Sequence, residues 1–330
     1  MFEALDGLAD RGYDITLLGH PDSKIKGHVI GYQSTLGMNK LKRGWVKWQF
    51  RRQLRRLLPH FDILHAVGRL DYLKPALQSS IPIHYLFQNP IRDDQVAYLK
   101  AHCRGKLVLS ACGQNMTLAH RAWGNWRPIH NATNVSRFSF HEKPQSPHYL
   151  AFLGRLTANK GVKEAIQIAR MAGIPLHLAG NISNEPGGEE YFQKEVKPHI
   201  DGYHVVYFGE MNDQQKQQHL GGAIALINPV QWDEPFGIVT IEALACGTPV
   251  LACSRGELPF IIEEGVTGFL SNNIEILAGK LNELASISRE RCRQEAVERF
   301  STQPMVVKYF EVMQWLLSNQ ITVPDHWQMP

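Results

Sequence analysis

The sequence predicts an α/β protein of two doubly wound domains, each built on a parallel sheet covered by helices. Two observations indicate this fold class. A chain of 330 residues is long for one core and fits two domains of ordinary size. Short apolar runs also alternate with helical segments, a pattern typical of β-α-β units with parallel strands.

The second half of the chain shows this alternation most clearly. Apolar residues recur at 162, 165, 166, 168 and 169, and this spacing predicts an amphipathic helix over 163–171. Another helix is predicted over 238–246, where Gly247 ends it. The predicted strands are 149–153, 176–179, 205–208, 223–227 and 249–252.

The first half follows the same alternation more faintly, with predicted strands at 14–18, 63–67, 83–87 and 106–110. It opens on a predicted helix, 2–11, whereas a doubly wound domain normally opens on a strand that becomes central in its sheet. The first strand of this domain is therefore expected to be missing. The strand edges left unpaired would cost several kcal/mol of stability.

A polar, proline-bearing segment, 142–148, is the predicted linker between the domains. The sequence thus divides into 1–147 and 148–304. A long helix is predicted from Met305 to Leu317, and residues 305–330 are expected to pack back on the first domain.

Composition indicates a soluble cytoplasmic protein. Hydrophobic residues make up 44% and charged residues 20%, and the apolar runs fall short of the roughly 20 residues that cross a bilayer. Glu3 and Asp6 stand where a secretory signal needs a basic region. The five cysteines form no C-x-x-C pair, which favours reduced thiols over disulfides or structural zinc.

Charge is unevenly distributed: residues 1–147 carry a net +11 and residues 148–330 a net −7. The segment 40–56 holds eight cations, no acid, and two tryptophans three residues apart, Trp45 and Trp48. Such a basic amphipathic helix is suited to peripheral contact with an anionic membrane, here its inner face. The alternative is a solvated helix whose tryptophans pack on the sheet. No nucleic-acid partner is expected, because no nucleic-acid module accompanies the stripe.

The stretch 232–250, WDEPFGIVTIEALACGTPV, contains two acids eight residues apart. A helix starting near Phe236 or Gly237 directs free N–H groups at the preceding turn and suits phosphate. Glu234 in that turn can accept hydrogen bonds from sugar hydroxyls. Glu242, among apolar helix residues, needs a partner, for which a ribose is suitable. The alternative is a capped helix with a surface glutamate.

A second stretch, 154–161 (GRLTANKG), lies between a predicted strand and a predicted helix. Doubly wound folds bind ligands at this edge of the sheet. Arg155 and Lys160 place two cations there, which would stabilise a leaving nucleoside diphosphate. The alternative is that both are solvated loop charges. The chain contains no G-x-x-x-x-G-K-[ST] loop, which argues against nucleotide hydrolysis.

Together these motifs resemble the family-4, or group 1, glycosyltransferases, whose GT-B architecture has two Rossmann-like domains facing a cleft. The E-x7-E pair is Glu234 and Glu242, and the stretch 154–161 resembles the family's phosphate element. Residues 131–138 resemble the family's segment that closes the first domain, and residues 264–270 the segment after the active-site helix. The resemblance implies an acceptor-side domain over 1–147 and a nucleotide-sugar domain over 148–304.

The resemblance also implies a role for each residue. Glu234 would contact the donor sugar, Glu242 the ribose, and Arg155 and Lys160 the diphosphate. Backbone groups would complete the donor site at Phe236, Gly237, Ile238 and Val239. Gln88 stands where many members place a histidine near the donor sugar, so sugar recognition or rate is expected to differ.

The implied activity is transfer of a sugar, a hexose above all, with retention of configuration. The donor would be a nucleotide-diphosphate sugar, with UDP favoured, and the acceptor a glycan, lipid or small molecule. No cofactor or metal is expected, and the chain lacks an Asp-x-Asp pair. The alternative is an impaired or truncated homologue that binds a nucleotide sugar or a partner protein. A phosphorylase or epimerase would need a pyridoxal-phosphate lysine or a denser set of acids and histidines.

Overall fold

The computed structural model describes residues 2–320 except 33 and 36, together with 324 and 327. It confirms the α/β fold class, and every strand pairing in its described part is parallel. The chain forms two compact units, one of residues 1–130 and 302–330, the other of residues 131–301.

The second unit is built on one six-stranded parallel sheet with the order β11-β10-β9-β6-β7-β8. Its strands are β6 (Leu150–Leu153), β7 (Leu176–Ala179), β8 (Val205–Tyr207), β9 (Ala225–Asn228), β10 (Val250–Ala252) and β11 (Gly268–Leu270). Leu150 of β6 pairs with Leu176 on one side and with Ala225 on the other. The direction in which the sheet grows therefore reverses at β6.

Helices connect these strands, as parallel pairing requires. The connecting helices are α6 (Val162–Ala172), α7 (Gly188–Tyr191), α8 (Asp213–Gly221), α9 (Ile238–Ala245) and α10 (Leu258–Ile261). Helices α11 (Ile274–Lys280) and α12 (Arg289–Phe300) follow the last strand. In α6 the buried positions are 162, 165, 166, 168 and 169, the positions that the apolar periodicity marks. The helix ends at Gly173, whose φ of +66° gives the left-handed cap that glycine favours.

The division between the units falls at 130/131 and differs from the predicted boundary at 147/148. Backbone hydrogen bonds tie the intervening segment to the second unit: Thr133 N donates to Phe300 O (2.9 Å) and His141 N to Cys246 O (3.0 Å). Within the predicted linker, Gln145 N donates to Gly222 O (2.8 Å). A polar, proline-bearing composition is thus compatible with a segment that lies along a folded surface.

The described residues of the first unit form two separate parallel sheets, β1-β2 and β3-β4-β5. Its strands are β1 (Thr16–Gly19), β2 (His28–Gly31), β3 (Leu64–Val67), β4 (Ile83–Phe87) and β5 (Leu107–Ala111). The break between β1 and β3 is where a doubly wound sheet has its first strand, and the described chain opens on a helix. All four residues of β1 are half-exposed, whereas all five of β4 are buried.

The helices of the first unit are α1 (Phe2–Ala9), α2 (Lys40–Leu57), α3 (Lys74–Leu77), α4 (Asp93–His102), α5 (Gln114–Leu118) and α13 (Thr302–Leu317). The C-terminal helix α13 packs on α1, where a Cβ on Gly7 would lie 2.5 Å from Val306 Cγ2. It begins three residues earlier than predicted, because Pro304 lies in its first turn, which tolerates proline. In the described part of the chain, no helix combines the length and apolarity needed to cross a bilayer.

Candidate functional site

The loops that follow β6 and β9 lie at the same edge of the sheet, because the two strands are parallel neighbours. This is the point where the strand order reverses, the usual position of a ligand in a doubly wound fold. Gln231 N donates to Asn159 O (2.8 Å) and joins the two loops. Gly161 has a φ of +75°, and a Cβ there would lie 1.9 Å from Pro229 O. The loops are therefore packed backbone against backbone.

An ion pair links the two predicted motifs at this junction. Lys160 Nζ lies 2.5 Å from Glu234 Oε2, with side chains 21% and 10% exposed. Trp232 Nε1 donates to the same oxygen (2.9 Å), and its ring centre lies 5.2 Å from Lys160 Nζ. Two residues predicted separately, one for the sugar and one for the phosphate, thus form one partly buried cluster.

The backbone around Glu234 is also held in place. Its carbonyl accepts a hydrogen bond from Glu257 N (2.9 Å). At Gly256 a Cβ would lie 2.2 Å from the same carbonyl oxygen, so only glycine fits at this approach. The position of the Glu234 carboxylate is therefore set by two chain segments as well as by its ion pair.

Helix α9 starts at this same edge, directly after Gly237, whose φ is +90°. Phe236 is buried and meets Phe300 edge-on, with ring centres 6.1 Å apart. Ile238 is 48% exposed at the helix start. The amides of Ile238 and Val239 belong to the first turn, whose N–H groups have no acceptor within the helix. This arrangement suits an anion bound by backbone groups.

Glu242 lies further along α9, with its side chain 12% exposed. Sequence reasoning indicated that it needs a partner, and the structure supplies one that was not predicted. Lys216 Nζ of α8 lies 3.1 Å from Glu242 Oε1. Burial raises the pKa of Glu242 above its usual range, although Lys216 acts in the opposite direction. Nothing in the glutamine-rich sequence around Lys216 distinguishes it from a surface lysine.

Arg155 lines an open pocket of about 440 Å³ at the ends of β6, β7 and β8. The pocket is lined by Leu153, Gly154, Arg155, Gly180, Asn181, Glu210 and Met211. Two of the lining backbones are in close contact, since a Cβ on Gly180 would lie 1.8 Å from Gly154 O. The Arg155 guanidinium lies 3.1 Å from Glu185, and both side chains are largely exposed. Arg155 is thus free to exchange this partner for a ligand, because exposed ion pairs are weak.

Gln88 is the one predicted site residue in the first unit, directly after β4. The other eight lie in the second unit. His84, earlier in the same strand, is fully buried and its Nε2 lies 2.7 Å from Ser110 Oγ, so it is a packed strand residue. Among the described residues, no group of three or more His, Cys, Asp or Glu side chains has the geometry to hold a metal ion.

The basic helix α2 exposes Leu41 and its two tryptophans rather than packing them on the sheet. Leu41, Trp45 and Trp48 are 86%, 58% and 55% exposed. They follow each other at i, i+4 and i+7, so they form one stripe along the helix. The opposite face is anchored by Val46 and Leu54, which are buried.

Comparison with known proteins finds a family similarity within the second unit. Residues 136–299, about half of the chain, match the family model for glycosyl transferases group 1. This segment is therefore similar to the group 1 glycosyl transferases. The matched residues contain the whole six-stranded sheet, the Lys160–Glu234 pair and Glu242.

Curated proteins are similar to this chain over part of their length. An uncharacterized 41.2 kDa protein in the cps region of Klebsiella pneumoniae is 27% identical over 169 residues, covering 49% of this chain and 45% of its own. The chain spans less than half the length of the first curated relatives it matches.

Solved structures confirm the GT-B fold across both units. Sucrose-phosphate synthase from Thermosynechococcus elongatus superposes with a TM-score of 0.78 at 19% identity, covering 96% of this chain and 92% of its own. Anabaena HepE, solved in complex with UDP and glucose, superposes with a TM-score of 0.67 at 17% identity, covering 87% and 86%.

Proposed function

We propose that the protein transfers a sugar from a nucleotide-diphosphate donor to an acceptor hydroxyl. One observation carries this proposal: at the reversal point of the sheet, Lys160 and Glu234 meet 2.5 Å apart beside the start of α9. A cation and helix amides suit a diphosphate, and a carboxylate suits sugar hydroxyls. The group 1 match over this same segment supports the proposal.

The roles follow from the chemistry of each group. Lys160 and Arg155 would bind the diphosphate together with the amides of Ile238 and Val239. Glu234 would orient the sugar, with backbone groups of Phe236 and Gly237. Glu242 would bind the ribose, and Gln88 would contact the sugar. The HepE complex with UDP and glucose supports a uridine nucleotide and a hexose as the first donor to test.

We further propose a retaining, metal-independent route without cofactor. The bond between the sugar C1 and the diphosphate oxygen breaks, and the acceptor oxygen bonds C1 on the same face. The acceptor proton passes to the departing phosphate oxygen, so no protein carboxylate needs to act as a nucleophile. The residues around Lys160 would stabilise the negative charge that develops on the diphosphate. A glycan, a lipid-linked sugar or a small molecule would supply the hydroxyl.

The direct test is turnover by the purified chain supplied with UDP-hexoses and, in parallel, GDP- and ADP-hexoses. Release of nucleoside diphosphate that requires Glu234, without added metal and in EDTA, would support the proposal. Product with inverted configuration would refute the retaining route. Binding of UDP without any transfer or hydrolysis would favour the alternative, a nucleotide-sugar-binding or partner protein. Gln88 and the broken sheet of the first unit are what favour that alternative.

We also propose that α2 contacts an anionic membrane surface, which would bring the enzyme to lipid-linked acceptors. The exposed stripe of Leu41, Trp45 and Trp48 lies on a helical segment, 40–56, that contains eight Lys and Arg residues. Within the described part of the chain, none of Lys40, Lys42, Arg43, Arg55 and Arg56 forms an ion pair. Aromatic rings at the headgroup level combined with unpaired cations are typical of interfacial helices.

Co-sedimentation with vesicles tests this contact. The chain should bind phosphatidylglycerol vesicles and leave phosphatidylcholine vesicles unbound, and Trp45→Ser with Trp48→Ser should weaken binding about tenfold. The paired control is Tyr203→Ser, which removes an aromatic side chain 75% exposed on the second unit. Equal loss in both variants, or binding to RNA with no preference for lipid, would refute the membrane surface.

A further inference from the structure

The partner of Glu242 is a lysine that the proposed donor chemistry does not itself require. Lys216 Nζ lies 3.1 Å from Glu242 Oε1 and 3.3 Å from Asp213 Oδ1. The side chains of Lys216 and Glu242 are 23% and 12% exposed, whereas Asp213 is 70% exposed. The contact between Lys216 and Glu242 is therefore the partly buried one, in which solvent screens the charges least.

Local helix chemistry explains a lysine at this position only in part, through the exposed pair with Asp213 three residues earlier in α8. Helix α8 starts with a capping box, in which Gln215 N donates to Asn212 Oδ1 (2.9 Å) and Asn212 N to Gln215 Oε1 (3.0 Å). Lys216 follows directly, with its N–H donating to Asn212 O (2.9 Å). A cation this close to a helix N-terminus is opposed by the helix dipole. The capping box fixes where the helix begins and so aims Lys216 at Glu242.

The lysine engages only one of the two carboxylate oxygens. Oε1 of Glu242 receives the hydrogen bond, and Oε2 receives none from any residue that the structure describes. The wall of the Arg155 pocket ends at Met211, immediately before the capping box. The helix that carries Lys216 therefore begins two residues after a residue that lines this pocket.

We propose that Lys216 is a positioning residue for the nucleoside: it holds Oε1 of Glu242 so that Oε2 accepts hydrogen bonds from the ribose hydroxyls. The inference rests on the proposed function, in which Glu242 binds the ribose. Lys216 also compensates the burial of the carboxylate and keeps it ionised, the form that accepts from both hydroxyls. The ligand class is a ribonucleoside diphosphate with a vicinal diol, not its 2′-deoxy counterpart.

Calorimetric titration of the full chain with UDP and 2′-deoxy-UDP from pH 6 to pH 9 tests the inference. Lys216→Met should weaken UDP binding about tenfold at pH 6, since a hydrogen bond to a charged group is lost. Affinity should recover only in part as the pH rises, because Glu242 without its lysine ionises at higher pH but its Oε1 is no longer held. Lys216→Arg should restore the wild-type profile. Lys280→Met, which breaks another ion pair of the second unit, is the control.

A double-mutant comparison separates positioning from direct contact. On a Glu242→Gln background, Lys216→Met should have no further effect, and UDP and 2′-deoxy-UDP should bind alike. Further loss on that background would show that Lys216 contacts the ligand itself and would overturn the inference. Unchanged binding by Lys216→Met would also overturn it. If wild-type protein binds none of UDP, GDP and ADP, it is the proposed function that fails.

Discussion

Gly161→Ala perturbs the junction between the two site loops, and its effect is open to calculation from the structure. The new Cβ would lie 1.9 Å from Pro229 O, whereas ordinary contact begins near 3.4 Å, so the backbones must separate by about 1.5 Å. The left-handed backbone adds about 1–2 kcal/mol for alanine. Overpacking of a tight contact costs a further 1–3 kcal/mol, roughly.

Gly173→Ala is the matched control, because it lies at the other end of the same helix. Its φ of +66° is close to the +75° of Gly161, but nothing lies within 4 Å of a Cβ there. The two variants share the backbone cost and differ in the steric one. Because the steric contact adds about 2 kcal/mol, the melting temperature of Gly161→Ala should lie about 4–8 °C below that of Gly173→Ala.

The junction also predicts a functional difference between the two variants. Because Gly161 adjoins Lys160, its displacement should weaken UDP binding as well, while Gly173→Ala should bind UDP normally. Equal melting temperatures for the two variants would refute the close approach of the loops. A lower melting temperature with unchanged UDP affinity would refute its role in the donor site.

Three further predictions follow from individual side chains. Glu234→Gln keeps the shape and loses the charge, so kcat/KM should fall about 10–100-fold, measured by nucleoside diphosphate release; exposed Glu190→Gln serves as control, and equal rates for both would argue against the role of Glu234. Arg155→Ala should weaken UDP binding, measured by calorimetry, without lowering the melting temperature, because its ion pair is exposed. A lower melting temperature with unchanged UDP binding would show that Arg155 has a structural role instead. Burial lowers the pKa of His65 to about 4, so only the unfolded chain takes up its proton as the pH falls from about 6.5 to about 4. Between pH 7 and pH 4 the free energy of unfolding of His65→Phe should therefore fall by up to about 3 kcal/mol less than that of wild type, measured by urea titration. The same gain from exposed His60→Phe would contradict this cause.

The sequence predicted the second unit well, because its strands are buried on both faces. Continuous apolar runs between helical segments are strong signals, and the observed bounds of β6, β7 and α6 lie within one residue of the predicted ones. Two strands were missed, His28–Gly31 and Gly268–Leu270. Each has three or four residues and contains glycine, so neither produces a run long enough to recognise.

The site was only half predictable for a related reason. Spacing within one segment marks Glu234 and Glu242, but their partners come from distant positions in the chain, 74 residues away for Lys160 and 26 for Lys216. A lysine in a polar helix has no local feature that reveals a buried partner. Whether a side chain is exposed also depends on residues that are distant in the chain. The sequence therefore left two interpretations of Trp45 open, contact with a membrane and packing on the sheet.

Calorimetric titration of UDP into Lys160→Ala and Lys163→Ala tests the central claim most directly. Both variants remove a lysine from an ion pair, but Lys160 lies beside Glu234 at the sheet edge and Lys163 pairs with Glu195 on the exposed face of α6. UDP should bind Lys160→Ala at least tenfold more weakly than wild type and bind Lys163→Ala normally. Wild-type affinity in Lys160→Ala would contradict the claim that the loops after β6 and β9 hold the diphosphate.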